Sequence, residues 1–212
     1  MKKLIILAAF ICAASQANAQ FLIGAHASRL NNAEQGKWGG GIFAKALIGD
    51  RFAAGINVKA YPQSFSKATV QNIGGQEYNV SYGNVIIPAL VTFDYRFGET
   101  VRPYIGVDVG MYNTRDIVRY NSPSQNYDRT DSGNKKWYFG AAPKVGLELE
   151  VGPVGIFGQV QYNALFGSGD KNNITIPGAP GSSIETKPVS KFWNFDVGLY
   201  FKLGDRRNRN KA

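Results

Sequence analysis

The sequence predicts an all-β chain that folds as an eight-stranded antiparallel up-and-down transmembrane β-barrel. Three observations support this prediction. Eight segments alternate between apolar and polar residues, the connections between them alternate between short and long, and the charges within these segments share one face. A β-strand places successive side chains on opposite faces, so the alternation gives each predicted strand one apolar and one polar surface.

The last segment, from Trp193 to Leu203, shows the pattern most clearly. Its odd-numbered positions hold only Trp, Phe, Val and Leu, whereas its even-numbered positions include Asp196, Gly198 and Lys202. The length matches the roughly 9–11 residues with which a tilted strand crosses a bilayer. A soluble sheet also alternates, but large aromatic residues opposite small or charged ones are typical of a strand with lipid outside and a polar interior.

The N-terminus predicts a secretory signal peptide over residues 1–19. Lys2 and Lys3 precede an apolar run, and Ala17-Asn18-Ala19 supplies the small residues that a cleavage site needs. The mature chain is therefore expected to begin at Gln20. The apolar run is too short to span a bilayer comfortably, so a retained membrane anchor is the less favoured alternative.

The composition limits the remaining chemistry. Cys12 is the only cysteine and lies within the predicted signal, so the mature chain can form no disulfide. A lipid anchor on Cys12 is disfavoured because Ile11 stands where a small residue is needed. The net charge of +9 could indicate nucleic acid, but an exported chain meets anionic lipid headgroups or cell-wall polymers instead.

The roughly 190 residues that follow the signal make one domain. We predict a barrel over residues 20–204 and a basic tail over residues 205–212, on the periplasmic side. The eight predicted strands are 21–30, 38–48, 52–61, 84–97, a strand from 103 past 112, 136–151, 154–166 and 192–203.

The connections alternate in length along the chain. Residues 49–51, 98–102 and 152–153 are short and contain Gly, Asp or Pro, which reverse a strand. The polar connections 31–37, 62–83, 114–135 and 167–191 are mostly longer. Short turns at one end and long loops at the other are typical of membrane barrels, and an even number of strands places both chain ends on the turn side.

Over predicted strands two to eight, the interior holds five cations and five anions, and the lipid face holds none of these ten. A charge on the lipid face near mid-bilayer costs about 2–4 kcal/mol, and unpaired interior charges are costly as well, so near-neutral pairing is expected. The ten residues of this predicted lumen network are Lys45, Lys59, Asp94, Arg96, Asp108, Lys144, Glu148, Glu150, Asp196 and Lys202.

Aromatic residues near the strand ends predict two interfacial girdles. Inward glycines such as Gly106 and Gly146 are expected to make room for the charged network and for inward tyrosines. The predicted girdles contain Trp38, Tyr61, Trp137, Tyr162, Phe166 and Trp193 on the loop side, and Phe21, Phe52, Tyr95, Phe97, Tyr104 and Phe201 on the turn side.

Two local motifs give the chain a family resemblance. Arg102-Pro103-Tyr104-Ile105-Gly106-Val107-Asp108-Val109-Gly110 is similar to a strand that follows a tight turn in small outer-membrane barrels. The final strand carries a polar residue, a glycine, an aromatic residue and a hydrophobic residue at Asp196, Gly198, Phe201 and Leu203. The chain thus resembles the porin-family, or outer-membrane-protein-A-like, barrel domains of Gram-negative bacteria, most closely those of Bacteroidetes.

The resemblance implies an integral protein of the outer membrane. It implies that the barrel-assembly machinery reads those four residues of the last strand as an assembly signal. It also implies contact with outer-membrane lipids and lipopolysaccharide, a monomeric state, and loops that can bind an extracellular ligand. The tail after Leu203 departs from the family pattern and is too short for the peptidoglycan-binding domain of larger relatives.

A search for catalytic or cofactor chemistry predicts neither an enzyme nor a cofactor. His26 is the only histidine and is expected as a hydrogen-bonded residue of the polar face. The alternative is a catalytic base, as in barrels that deacylate lipid A, but no neighbouring His–Ser pair on a lipid-facing groove accompanies it. One histidine leaves no metal site, and weak cation binding by Asp128, Asp131 and Asp170 in loops is the minor alternative.

The predicted function is a structural or surface-interaction scaffold, with a narrow conductance for small solutes as its second version. Eight strands enclose too little space for a general porin, since wide channels need about 16–18 strands. Two other classes remain open at this point: a membrane-embedded lipid-modifying enzyme, and a secreted lipocalin-like barrel that binds a ligand.

Overall fold

The fold is described from a computed structural model. The structure describes residues 20–31, 36–49, 51–65, 69–73, 76–122, 127–167, 172–175, 183–186 and 189–204. The predicted signal peptide at residues 1–19 and the predicted tail at residues 205–212 lie outside these ranges. No helix among the described residues is long and apolar enough to cross a membrane.

Every regular element in the described part of the chain is a β-strand. Eight of the strands form one closed antiparallel barrel in the order β1-β2-β3-β5-β6-β7-β8-β11, which the β1–β11 pairing closes. The strands are β1 (Gln20–Asn31), β2 (Gly36–Ile48), β3 (Phe52–Phe65), β4 (Thr69–Ile73), β5 (Gln76–Arg96), β6 (Val101–Ser122), β7 (Tyr127–Val151), β8 (Val154–Phe166), β9 (Asn172–Thr175), β10 (Ser183–Thr186) and β11 (Lys191–Leu203).

The strand register fixes the shape of the barrel. A path that starts at Trp38 and steps from partner to partner around the sheet returns to β2 at Ile48, ten residues farther along. Such a stagger tilts the strands by about 35–45° from the axis, and eight strands leave an interior just wide enough for side chains. The barrel is therefore a filled cylinder.

Three tight turns define one end of the cylinder, as the sequence predicts. Gly49, Gly98 and Gly152 have φ values of 68°, 75° and 64°, in the left-handed region where only glycine is unstrained. Both ends of the described barrel lie at this same rim, because Phe21 pairs with Leu203. We call this rim the turn end and the opposite rim the loop end.

At the loop end, the strands extend much farther than the sequence predicts. β5 begins at Gln76 rather than at Asn84, and β6 and β7 remain paired up to Ser122 and Tyr127. β4 adds to the upper part of β5, while β9 and β10 form a separate hairpin. These segments were predicted as loops because their polar, glycine-containing sequences lack the apolar alternation that a lipid-facing strand requires.

The outer wall of the barrel is apolar between its two rims. Thirty large hydrophobic residues among those described are exposed, including Ile105, Leu147 and Phe195 at 55%, 46% and 47%. A monomeric protein in water rarely exposes a contiguous apolar patch larger than a few hundred Å², and this wall surrounds the barrel, so it favours apolar surroundings.

The predicted aromatic girdles need two corrections. Tyr61 and Tyr104 are 0% and 1% exposed and point into the barrel rather than outward. Strand alternation is the reason, because Tyr61 shares a face with Lys59 and Tyr104 shares a face with Asp108. Trp38, Trp137 and Trp193 at the loop end, and Phe21, Phe52, Phe97 and Phe201 at the turn end, are exposed as the girdles require.

A charge placed on the outer wall should report its depth in a bilayer. Val145 is 57% exposed near the middle of the apolar part of β7 between Trp137 and Val151, whereas Val151 is 76% exposed at the turn end of the strand. We expect Val145→Arg to lower the free energy of unfolding by about 2–4 kcal/mol and the matched Val151→Arg to lower it by about 0–1 kcal/mol. Guanidinium unfolding of protein refolded in lipid vesicles measures both, and equal losses would contradict a lipid-facing wall.

Candidate functional site: the interior of the barrel

The interior is layered along the barrel axis. An apolar cluster occupies the loop end, a second apolar cluster lines one wall toward the turn end, and charged residues fill the space between and beside them. The loop-end cluster contains Leu30, Tyr61, Ile86, Leu90, Tyr112, Tyr138, Leu165 and Phe192. The second cluster contains Leu22, Phe43, Leu47, Ala53, Phe157 and Tyr200.

The central charged layer is built around Lys144. Its Nζ lies 2.8 Å from Asp94 Oδ1 and 2.5 Å from Asp108 Oδ1, and it also donates to the Thr92 hydroxyl. Lys45 Nζ completes the pairing of Asp94 at 2.6 Å. Because two lysines share two carboxylates with side chains at most 6% exposed, each buried charge has an opposite charge in contact.

A second part of this layer surrounds Asp196. Lys59 Nζ lies 2.6 Å from Asp196 Oδ2, and Gln159 Nε2 donates to the same oxygen over 2.6 Å. Lys59 also donates to Gln161 Oε1. The Nε2 atom of Gln161 in turn donates to Asp108 Oδ2 over 2.9 Å. This amide joins the Asp196 and Lys144 groups into one continuous network.

The remaining predicted charges form a separate group at the turn end. Arg96 lies 2.5 Å from Glu148 and 3.3 Å from Glu150, and Lys202 pairs with Glu150. Arg102 also approaches Glu150, at 3.6 Å, although the sequence prediction did not include it. All ten residues of the predicted network therefore lie in ion pairs, divided between a central and a turn-end group.

His26 lies inside the barrel and is 7% exposed. Its Nε2 is within hydrogen-bond distance of Asn57 Oδ1 at 3.2 Å, and its Nδ1 is 3.9 Å from Asp196 Oδ1. Ser28 also faces inward, but its hydroxyl donates to Asp196 instead of to the imidazole. The three side chains therefore lack the hydrogen bond from serine to histidine that nucleophilic catalysis requires.

Glycines on the inner face make room for buried tyrosines. A Cβ on Gly146 would collide with the Tyr104 ring, and a Cβ on Gly155 would collide with the Tyr200 ring. The Tyr104 hydroxyl donates to Gln159 Oε1 over 2.7 Å. The predicted role of inward glycine is confirmed at Gly146.

Sequence reasoning missed one fully buried cation at the loop end. Lys37 is 2% exposed and donates to the backbone oxygen of Asn84 over 2.6 Å and to its side-chain oxygen. The predicted second strand began at Trp38 and so excluded it. Continuing the inward alternation of Phe43 and Lys45 toward the loop end would have found Lys37.

The four residues of the predicted assembly signal occupy both faces of β11. Asp196 and Gly198 are buried inside, whereas Phe201 and Leu203 are 59% and 50% exposed on the outer wall. β11 pairs with β1 and β8 along its length. It is therefore the strand whose docking onto β1 closes the cylinder.

No group of three metal-ligating residues occurs in the described part of the chain. Asp128 and Asp131 are part of β7, where their backbones pair with Asn121 and Val118, and so they are not loop residues as the sequence suggested. Asp170 lies outside the described residues.

Comparison with known proteins connects this barrel to outer-membrane folds. No protein-family model and no curated protein sequence matches the chain. The structure is similar to a major outer membrane protein from Thermus thermophilus, with a TM-score of 0.56, 14% identity, and coverage of 87% of this chain and 99% of that chain. It is also similar to the outer membrane protein OprG from Pseudomonas aeruginosa, with a TM-score of 0.50, 15% identity, and coverage of 88% and 97%.

At these identities, the similarity shows the fold alone. The chain has the closed eight-stranded antiparallel fold of small outer-membrane β-barrels.

The central network predicts a strong dependence on charge pairing. Replacing Asp196 with Leu leaves Lys59 buried with only the Gln161 amide, which should lower the free energy of unfolding by about 3–5 kcal/mol. The double change Asp196→Leu and Lys59→Met removes both charges and should cost much less than the sum of the single changes.

Unfolding titrations in detergent micelles measure each step of this cycle. Arg102→Gln serves as the control, because it breaks a rim ion pair and should cost at most about 1 kcal/mol. Additive losses in the double variant would show that the Lys59–Asp196 pair is not coupled.

Proposed function

We propose that this chain is an integral protein of the Gram-negative outer membrane, exported by a cleaved signal peptide. In this proposal it serves as a closed scaffold that presents its loop end to the exterior. The observation that carries the proposal is the inverted distribution of residues: thirty large hydrophobic side chains face outward, while Asp94, Asp108, Lys144 and Asp196 are at most 5% exposed inside. Such a cylinder is stable only where hydrocarbon surrounds it.

In the proposed orientation, the turn end and both chain ends face the periplasm. The barrel is a monomer of the porin-family or outer-membrane-protein-A-like type, as found in Bacteroidetes. The barrel-assembly machinery inserts it by recognising Asp196, Gly198, Phe201 and Leu203 in β11, and lipids and lipopolysaccharide surround its wall. The long β5–β6–β7 extension and its loops form the surface for an extracellular ligand.

The inverted distribution speaks against a lipocalin-like barrel, which keeps its apolar face inside and its charges in water. A lipid-modifying activity has little support as well. His26 and Ser28 are both buried in the interior, where the acyl chains around the outer wall cannot reach them. We therefore assign no catalytic role to His26.

Side-chain packing supports a closed interior rather than a channel. Tyr112 and Phe192 meet across the loop-end cluster with ring centroids 6.2 Å apart, and the central network fills the next layer. An ion entering from the loop end would have to pass an apolar layer before it met any charge of the network.

Membrane fractionation followed by gel electrophoresis tests the proposed location and fold. The protein should fractionate with the outer membrane and should require detergent for extraction. The unboiled sample should migrate differently from the boiled one, because a paired barrel resists SDS unfolding. Recovery in the soluble periplasmic fraction, or identical migration of both samples, would refute the proposal.

Planar-bilayer recording tests closure of the interior. The wild-type protein should produce no discrete conductance steps, because side chains occupy each layer of the lumen. A heat-denatured sample added at the same detergent concentration controls for membrane leakage. Reproducible steps from the folded protein alone would replace the closed scaffold with a narrow solute channel.

A further inference from the structure

Among the described residues, the exposed cations of the barrel wall lie near its rims, and two of those at the loop end stand beside tryptophan. The guanidinium carbon of Arg29 lies 5.5 Å from the centroid of the Trp38 ring. On another part of the wall, Lys135 Nζ lies 5.6 Å from the centroid of the Trp137 ring. A cation held over an indole face is stabilised by the ring quadrupole and stays oriented without being neutralised.

The surroundings of Arg29 place it at the boundary of the apolar wall. On β1 it pairs with Trp38 of β2 on one side and with Phe195 of β11 on the other, and both side chains are exposed outward. Ala27, the next outward residue toward the turn end, is apolar and exposed. The guanidinium therefore sits where hydrocarbon ends and headgroups begin.

On the side of β2, a glycine stands next to the guanidinium. Gly36 pairs with Asn31 at the rim, and a Cβ at Gly36 would lie 3.6 Å from the Nη2 atom of Arg29. Since glycine has no side chain, the position above the guanidinium is unobstructed from that strand. A planar guanidinium with one face on an indole can use its edge to donate two parallel hydrogen bonds to a phosphate.

The charge of this rim favours an anion. Among residues whose side chains the structure describes, exposed cations at the loop end outnumber exposed carboxylates, of which Glu77 is one. Lys191 also faces outward, two residues from Trp193 on β11, which is the neighbour of β1. Near the level of the tryptophans these cations are Arg29, Arg115, Lys135 and Lys191, and Arg119 lies farther out on the β6 extension.

We propose that Arg29 and Trp38 form a binding site for the phosphate headgroup of a lipid in the outward-facing leaflet. The proposal rests on the membrane location proposed above and adds a specific lipid contact to it. A membrane lipid fits better than a soluble polyanion because Arg29 lies beside lipid-facing Phe195 and Ala27. Its phosphate would accept hydrogen bonds from the guanidinium while its acyl chains cover the apolar wall below.

Native mass spectrometry of the folded protein in micelles tests the site, with phosphatidic acid as a phosphate-monoester probe and phosphatidylcholine as the reference lipid. One cation at an anionic membrane surface contributes about fivefold in affinity. We expect Arg29→Gln to weaken binding of the first phosphatidic acid molecule by about that factor, and Trp38→Leu to weaken it less. Phosphatidylcholine binding should not change.

Asn31→Ala is the matched control, because it removes an outward polar side chain from the same strand and rim without changing charge. It should leave phosphatidic acid binding intact. Inorganic phosphate at about 10 mM should not displace the lipid, because the acyl chains and the headgroup of one lipid molecule bind together. Sodium chloride of equal ionic strength controls for screening of charge.

The outcomes separate this inference from the proposed function. Unchanged lipid affinity in Arg29→Gln, an equal loss in Asn31→Ala, or displacement by inorganic phosphate alone would each overturn the lipid site while leaving the barrel in its membrane. A wild-type protein that shows no heat-modifiable folded form in micelles or membranes would instead overturn the proposed function.

Discussion

The strongest constraint on this molecule is that charged side chains in the middle of the barrel strands must point into the interior. An ionised side chain that points outward into hydrocarbon costs about 2–4 kcal/mol. Closure of the sheet makes the inward side chains of all eight strands share one narrow interior. Inside, an unpaired charge is also costly, so opposite charges must meet. Lys144 between Asp94 and Asp108, and Lys59 on Asp196, are the contacts that satisfy both requirements.

The rest of the interior follows from fitting these contacts into a cylinder of eight strands. Gln159 and Gln161 supply neutral hydrogen bonds where a further charge would unbalance the network. Glycine stands opposite the bulkiest inward rings, and apolar clusters fill the layers that contain no charge. Because a slip of one residue would turn every lipid-facing side chain inward, the same contacts also fix the strand register.

The sequence was sufficient to predict the strands in the part of the barrel where one face must be apolar and the other polar. Strand ends at the turn end were predicted closely, because apolar alternation stops at glycine-containing turns such as the one at Gly152. The extensions of β5, β6 and β7 were missed because their polar sequences lack apolar alternation, and because a register shift between Arg115 and Ile117 interrupts the inward–outward pattern of β6. Tyr61 and Tyr104 match girdle residues in aromatic character and in their position near a strand end, but strand alternation turns both side chains inward.

From the sequence, the interior ion pairs could be predicted only as equal numbers of cations and anions, without their partners. Which lysine meets which carboxylate depends on the ten-residue stagger of the closed sheet, and a sequence pattern does not reveal that stagger. Lys59 and Asp196 are 137 positions apart in the chain and meet because the barrel closes between β1 and β11. The pairing is thus a property of closure rather than of any local motif.

The length of the β6–β7 hairpin has a consequence for recognition at a distance. About 9–11 residues of a tilted strand cross a bilayer, so in the proposed orientation roughly a dozen residues of each strand extend beyond it, about 25 Å past the rim. Backbone pairing continues to Ser122 and Tyr127 with a register shift between Arg115 and Ile117, and β5 pairs with β6 as far as Asn121, so three paired strands support this segment. A macromolecule that binds this segment would contact paired strands rather than an irregular loop, so less conformational entropy of the chain would be lost on binding.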